Sequence, residues 1–582
     1  KLLHYEKDQS SPSGFRSAIA SDEFFLSENG EVDPVGELSA TIKGIFQVVG
    51  ADNDSHTQCV FHARYLWLSE ILDFELAPMP KAKCERYNQW SMGGDITSIS
   101  LLYATGYLGN PASYYGHTLL KFNTNDVAQS KLLDVSINYG AIVPSNEDPI
   151  SYILKGAFGG YDGGFSHIEF YYHNHNYGEL ELRDIWEYEV GLSDMEVQLI
   201  VAHLWELMRK KYTYYFFRKN CAYRIAEILE LAEGLNIIPD NRPWTFPQKI
   251  AENLSKVERN EQSLVTSITY HPSRQSRLYR KYEELSDREK NAVAEIVADI
   301  NVLNKERYNQ LNTRSKQVVL GVLEDYFQFA SGGKVSEKNK YTKVLAKHFE
   351  LPILPIPEDS YDVQPPHQGR SPGMIRVGYI DNESLGNGYE MVVRPSYYDV
   401  LDGGSGHVFN SSLTMFDTKF VYQNDKFNLR YLDFMSIESV SGGKTGLPKD
   451  RGKSWKIKLG IEQQNLNCTN CIVGRLQGDI GYARNIAGNN VVGMYVGLGL
   501  QNNRNGYGAA YGKSTWFANV SFSEKIKARI QSEHRFHFDS KEKNEDVYLL
   551  ESRYKLDKNW DLRFQFEKNK GDEYTLSVGY YW

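Results

Sequence analysis

Val492-Gly493-Met494-Tyr495-Val496-Gly497-Leu498-Gly499-Leu500 puts Val, Met, Val, Leu and Leu on one side of an extended chain, and Gly, Tyr, Gly and Gly on the other. A period of two is the signature of a strand with one apolar face. The same pattern recurs outward from this stretch. Trp455, Ile457, Leu459 and Ile461 alternate with Lys456, Lys458, Gly460 and Glu462. Trp560, Leu562, Phe564 and Phe566 alternate with Asp561, Arg563, Gln565 and Glu567. Tyr574, Leu576, Val578, Tyr580 and Trp582 share one face of the final segment, opposite Thr575, Ser577, Gly579 and Tyr581.

About twelve such segments of roughly ten residues fill 374–582, an even number, as a closed antiparallel membrane barrel requires. Aromatic residues cluster at their ends, as an interfacial girdle does. A soluble β-sandwich alternates too. Two features favour the barrel. Lys, Arg and Glu occupy the face that would point inward, which a dry core does not accept. The chain also ends on an aromatic residue within a strand, which resembles the terminal signature of bacterial outer-membrane proteins.

At 582 residues the chain exceeds one hydrophobic core. Its formal net charge of -9 argues against a nucleic-acid partner. No run of 18 or more apolar residues is present, so no transmembrane helix is expected. The chain begins at Lys1 without a charged n-region or apolar h-region, which reads as a mature form whose signal peptide has been removed. The five cysteines are Cys59, Cys84, Cys221, Cys468 and Cys471. Pairing Cys59 with Cys84 and Cys468 with Cys471 leaves Cys221 alone, the pattern of an oxidising compartment plus one functional thiol. Half a zinc site is the other reading of Cys468 and Cys471, but no second Cys/His pair lies nearby, and no metal or cofactor is expected.

The chain divides into five segments, and the fold class is multidomain α+β. Residues 1–90 read as a helical, disulfide-stapled cap, with a helix start at Pro34 and a helix over Ala63–Leu72. Residues 91–239 carry strand patterns at 98–106, 117–122, 133–140, 165–172 and 179–188. A turn lies at Asn110–Gly116, a Gly-rich segment at 156–164, and a helix from Ser193 to about Lys211. Residues 240–350 read as a helical region, 351–373 as a Pro-rich linker, and 374–582 as the barrel.

One stretch points to chemistry rather than packing. Tyr214-Tyr215-Phe216-Phe217 stops at Arg218-Lys219-Asn220, and a helical pattern with apolar residues at 225, 228, 229 and 232 follows, with Cys221 at the joint. A thiol in the first helical turn feels the positive end of the macrodipole and unpaired N–H groups, both of which favour thiolate. A small buried core cysteine is the competing reading. A thiolate enzyme needs a histidine to shuttle its proton and a group to orient that histidine. His117 opens a strand directly after Gly116. In the next strand Asp134, Ser136 and Asn138 share a face, so that Asn138 or Ser136 could hold the imidazole. His117 could also be a structural histidine, and His167, His173 and His175 are alternatives. A metal at His173 and His175 is a further reading of what looks like an exposed loop.

Gly116-His117-Thr118-Leu119-Leu120, Arg183-Asp184-Ile185-Trp186-Glu187-Tyr188 and Asn220-Cys221 resemble the DUF4105 family, the periplasmic-domain family that includes the lipoprotein N-acyltransferase Lnb. The order of His strand and Cys helix also resembles circularly permuted NlpC/P60-like thiol enzymes, whose lecithin:retinol acyltransferase relatives carry an Asn-Cys helix start. The resemblance covers roughly 90–235. It implies a permuted papain-like antiparallel sheet with helices. It also implies a thiol mechanism with Cys221 as nucleophile, His117 as base and Asn138 as its orienter. Backbone N–H groups at the start of the Cys221 helix are natural oxyanion donors. Asn220, Tyr215 and Ser136 are support candidates. The cap and barrel look like Gram-negative members and differ from acyltransferases anchored by membrane helices.

Three functions follow as expectations. The first is a thiol acyltransferase or lipid/amide hydrolase in the periplasm of a Gram-negative cell, held at the outer membrane by the barrel and acting on an outer-membrane lipid or lipoprotein. The second is a peptidoglycan amidase or endopeptidase. The third is a non-enzymatic transport or assembly barrel. The sequence carries no signal for the acyl donor, the acceptor or the oligomeric state.

Overall fold

The computed structural model describes residues 1–72, 79–106, 114–125, 133–144, 146–239, 244–331, 335–352, 363–402, 405–502, 508–539 and 544–582. The chain forms two units, Lys1–Ser273 and Arg274–Trp582. Most of the expected turn at Asn110–Gly116 and the middle of the 351–373 linker lie outside the described residues.

The first unit is built on a seven-stranded antiparallel sheet. Its strands are β1 (Ile96–Ala104), β2 (His117–Thr124), β3 (Val135–Ala141), β4 (Tyr161–Glu169), β5 (Ile185–Val190), β6 (Tyr212–Tyr214) and β7 (Val265–His271). They lie in the order β7-β5-β1-β2-β3-β4-β6. Both faces are covered, which is why the central strands are almost continuously apolar rather than alternating. Leu101, Tyr103, Leu120, Phe122 and Ile137 pack against helices α1 (Asp194–Leu207) and α2 (Cys221–Leu229). The opposite parity of the same strands, Leu102, Ala104 and Leu119, packs with Phe170 and Tyr177. Ser193 opens α1 with a capping box to Glu196, as expected.

The cap is more mixed than a helical reading suggests. Tyr5–Lys7 and Phe15–Ser17 pair as a short hairpin before the helices Pro34–Ile45 and His62–Ile71. Cys59 and Cys84 are disulfide-bonded, and Trp205 of α1 donates its indole N–H to the Cys59 carbonyl at 2.9 Å. Arg64 bonds Glu37 at 2.6 Å and Glu206 of α1 at 3.2 Å, all three buried, so the cap is tied to α1 by charge as well as by the Trp205 hydrogen bond.

Two segments depart from their sequence patterns. The ends of two expected strands, 170–172 and 179–180, and the expected loop at His173–His175 between them form helical turns at Phe170–His173 and Asn174–Leu180. Phe170 and Tyr177 turn into the core from there, so an aromatic-rich stretch that alternates locally is claimed by tertiary packing. The expected helical region 240–350 begins with helix Pro247–Leu254 and then contributes β7, which pairs with β5 as the sheet's outer strand. Thr266, Ser267 and Thr269 face solvent there, so the strand lacks a second apolar face and is hard to see from sequence.

The second unit opens with helices Arg274–Glu283, Asp287–Ala298, Thr313–Ser331 and Val335–Phe349, packed around Val293, Ile296, Leu320, Leu323 and Phe327. Twelve membrane-spanning strands follow. They are β8 (Met374–Asn382), β9 (Gly386–Arg394), β10 (Ser411–Gln423), β11 (Lys426–Ser439), β12 (Lys453–Gln463), β13 (Ile472–Ala487), β14 (Asn490–Gln501), β15 (Ala510–Ser521), β16 (Ile526–His537), β17 (Asn544–Lys555), β18 (Trp560–Lys568) and β19 (Asp572–Tyr581). Each pairs antiparallel with its neighbours, and β8 pairs with both β9 and β19, which closes the ring. A three-residue strand, Ser396–Tyr398, adds to β10 from the β9–β10 connection. Closure removes every sheet edge, the condition for strands to sit in lipid. The apolar positions point outward, and Leu498 is 64% exposed. Their alternates, such as Tyr495, Lys513, Arg529 and Glu533, are buried in the lumen. Outward aromatics mark both ends, with Tyr379, Tyr389 and Tyr574 at one and Tyr554, Trp560 and Tyr580 at the other. Cys468 and Cys471 form a disulfide in the β12–β13 connection, which removes the zinc reading. No described helix is long and apolar enough to cross a membrane.

Leu498→Arg places a guanidinium in the lipid-facing band and is expected to cost about 2–4 kcal/mol if near the bilayer midplane. Loss of heat-modifiable gel mobility after refolding into vesicles, at a lower urea concentration than for the parent protein, measures it. A neutral outcome contradicts the lipid-facing assignment.

Candidate functional site

Gly116 precedes β2 at φ +87, and a Cβ there would meet the Tyr103 ring at 2.7 Å and the Ala104 carbonyl at 2.8 Å. Only glycine brings the chain that close to β1 and delivers His117 to the first position of β2. Leu119 stands opposite Asn138 across the β2–β3 ladder. That register puts the Asn138 side chain on the same face as Leu119 and His117, and His117 Nε2 lies 2.6 Å from Asn138 Oδ1. With an amide oxygen as acceptor, Nε2 carries the proton and Nδ1 is left as the basic nitrogen.

Cys221 begins α2. Asn220 caps that helix, accepting from the Tyr223 N–H at 3.2 Å and donating to the carbonyls of Phe216 at 3.0 Å and Thr245 at 2.8 Å. All of its amide capacity is used in fixing the helix start, so its side chain serves as a cap and is not a free oxyanion donor. The thiol is buried. Burial pushes its pKa up, but His117, by charge and by hydrogen bond, and the Thr118 N–H and hydroxyl outweigh that and lower it to about 7. His117 is raised in turn: burial and the Arg183 charge oppose its protonation, and the thiolate and Asn138 favour it. Each thus favours the charged form of the other.

Further groups surround the pair. The Tyr177 ring lies 5.8 Å from the His117 ring and is stacked on His173 at 5.5 Å. Beneath it the Arg183 guanidinium lies 4.8 Å from the Tyr177 ring, held by the carbonyls of Thr105 at 2.6 Å and Ala104 at 3.1 Å. His173 is pushed down to about 4 by burial and by the His117 charge, which makes it a weaker proton acceptor than His117. On the other side the Cys221 N–H faces the Tyr214 hydroxyl.

The structure therefore brings Cys221, His117 and Asn138 together and leaves other candidates out. Ser136 spends its hydroxyl on the Ile168 carbonyl at 2.8 Å. Tyr215 points away from the thiol, its ring against Gly159 and 4.2 Å from the Arg218 guanidinium. Tyr214, one residue earlier, takes the position beside Cys221. His167 is exposed beside Trp90, and His175 is exposed beside Tyr171. Sequence reasoning missed Thr118, Tyr177 and Tyr214 as neighbours of the thiol. Thr118 was the most accessible, since it follows His117 directly and has the parity of Leu120, which packs on the α2 side.

Three stretches of the chain match families of known proteins. Residues 86–253 match the family described as Lnb N-terminal periplasmic domain, and 363–582 and 1–71 match two domains of unknown function, DUF7840 and DUF7843. No curated protein matches the chain. Among solved structures, the KdgM porin is similar at 10% identity and a TM-score of 0.24, over 36% of this chain and 98% of that one. The NanC porin is similar at 7% identity and a TM-score of 0.25, over 36% and 98%. An outer membrane channel from Pseudomonas putida F1 is similar at 8% identity and a TM-score of 0.25, over 40% and 100%. The chain thus combines a periplasmic domain of Lnb type with a C-terminal outer-membrane β-barrel.

Proposed function

We propose that the chain is a periplasm-facing thiol acyltransferase or lipid/amide hydrolase, anchored by its barrel and acting on an outer-membrane lipid or lipoprotein. The observation that carries this reading is a buried thiol lowered to about 7 by a histidine that is itself held by Asn138. Cys221 Sγ attacks a carbonyl carbon, and the oxygen becomes an oxyanion. The Thr118 N–H, which borders Sγ, is a backbone donor of the kind that stabilises it. Collapse breaks the carbonyl–oxygen or carbonyl–nitrogen bond. The leaving group takes the proton held on His117, and a thioester remains on Cys221. An amine or water then attacks that thioester, gives its proton to His117, and releases the thiolate. Asn138 keeps Nε2 protonated and Nδ1 aimed at the reaction. The segment that carries Tyr177 and His173 to His117 also exposes Tyr171, Tyr172 and Leu180, which supports an apolar substrate over a muropeptide.

Three measurements test this. Alkylation of Cys221 is expected to be half-maximal near pH 7, slow below and complete above, because the thiolate is the reactive form and its folded pKa is depressed. In His117→Ala the midpoint moves up toward the ordinary thiol range; an unchanged midpoint contradicts the pairing. Incubation with a lipid thioester or an acyl-fluorophosphonate should leave an adduct on Cys221 and none on Cys221→Ala. Equal labelling of both sinks the nucleophile assignment. Replacing Tyr171, Tyr172 and Leu180 together by Ala should raise KM for a vesicle-borne lipid substrate with kcat little changed, whereas release of muropeptides from sacculi that is lost in His117→Ala would favour the wall-enzyme reading.

A further inference from the structure

Barrels of eight strands have interiors that side chains fill, and those of sixteen or more leave an aqueous channel. At twelve strands the contents of the lumen decide. At both mouths of this one the chain folds inward among the described residues. At the end that holds both barrel termini, the β9–β10 connection turns inward after Ser396–Tyr398 instead of passing outside. Asp399 and Asp402 sit within a cluster of lumen-facing side chains. Asp402 bonds Arg394 of β9, and accepts from Arg563 of β18 at 2.7 Å, with the Tyr581 hydroxyl of β19 at 2.9 Å. Asp399 accepts from Arg394 at 2.6 Å and from Arg563 at 2.7 Å, and Arg553 of β17 donates to the Leu401 carbonyl. The segment is therefore latched to β9, β17, β18 and β19 together.

A second tie crosses deeper in the lumen, where Arg529 of β16 reaches Glu438 of β11 at 2.7 Å. At the far mouth the β12–β13 connection folds in. Leu466 is buried, its carbonyl accepting from Asn382 at 3.2 Å and its N–H donating to the Asn569 carbonyl at 3.2 Å. Below it Arg430 of β11 bonds Glu573 of β19 at 2.6 Å. Small residues let neighbours lie flat across the interior: a Cβ on Gly499 would meet the Tyr511 ring at 2.1 Å, and one on Gly493 the Phe517 ring at 2.4 Å. Between the two mouths is a cavity of about 220 Å³ lined by residues such as Lys419, Lys458, Gln477, Glu533 and Gln565.

We infer that this barrel is a sealed anchor that carries no solute, and that the 396–402 segment, latched through Asp399 and Asp402, is its seal on the side of the termini. Opening it would strand buried arginines without their carboxylates, which disfavours an open state. Full-length protein reconstituted into a planar bilayer should give no conductance steps, and discrete steps from the unaltered protein overturn the proposal. To locate the seal, Gln565→Cys is placed in the cavity in a Cys221→Ala background. A membrane-impermeant maleimide should leave it unlabelled. Adding Asp399→Ala and Asp402→Ala should bring its labelling close to the rate of heat-unfolded protein. Rapid labelling with the latch intact overturns the seal, and protection that persists in a folded latch variant overturns the role of Asp399 and Asp402. Heat-modifiable mobility reports whether that variant folds; should it not, conductance and protection of the latched protein decide by themselves.

Discussion

The side-chain amide of Asn220 fixes where the thiol sits. It joins three pieces of chain at one point: the N–H of Tyr223 within α2, the carbonyl of Phe216 before it, and the carbonyl of Thr245 far along the sequence. A helix start left to fray would let the first residue wander, and the first residue here is Cys221. Pinned this way, Cys221 meets a strand that is itself pinned. The glycine before His117 admits β2 against β1, and the β2–β3 register sets Asn138 where it can hold the imidazole. None of these parts positions the pair by itself; each removes one degree of freedom from it.

Charge is then distributed by burial. A thiol this enclosed would ordinarily be neutral, and so would the histidine. Each favours the charged form of the other, while Arg183 opposes charge on His117. The same arginine supports the Tyr177 ring, so the group that moderates the imidazolium also shapes the wall beside it. His173, neutral and in stacking contact with that ring, keeps a second charge out of the site.

What could be read from sequence followed the range of the interactions. Period-two alternation is local, so the strands of the barrel declare themselves one at a time, and Cys59 with Cys84 and Cys468 with Cys471 are close along the chain. His117 and Asn138 lie on adjacent strands and share parity, and they are found in contact. Nearness along the chain was a poor guide: Tyr215 is close to Cys221 in sequence, but β6 stops at Tyr214, and Tyr214 is the residue that lies beside the thiol. Ser136 was indistinguishable from Asn138 by pattern, because its commitment to the Ile168 carbonyl depends on where β4 lies. The helical turns at 170–180 were hidden for the same reason, since only the folded sheet offers Phe170 and Tyr177 a core to enter. The inward turn after β9 was likewise invisible, because the arginine and tyrosine partners of Asp399 and Asp402 are brought together from β9, β18 and β19 only in the closed barrel.

The cap disulfide and the free thiol share one unit, and this sets opposite redox demands within a single compartment. Conditions that oxidise Cys59 and Cys84 also threaten Cys221. Cys221 is only 5% exposed, and the other four cysteines are already paired with each other. Shielding, rather than the surrounding redox poise, preserves the reduced sulfur. The enclosure that makes the thiolate electrostatically costly is also what lets it survive among oxidants, so any substrate that reaches it must open a path that oxidants are otherwise denied.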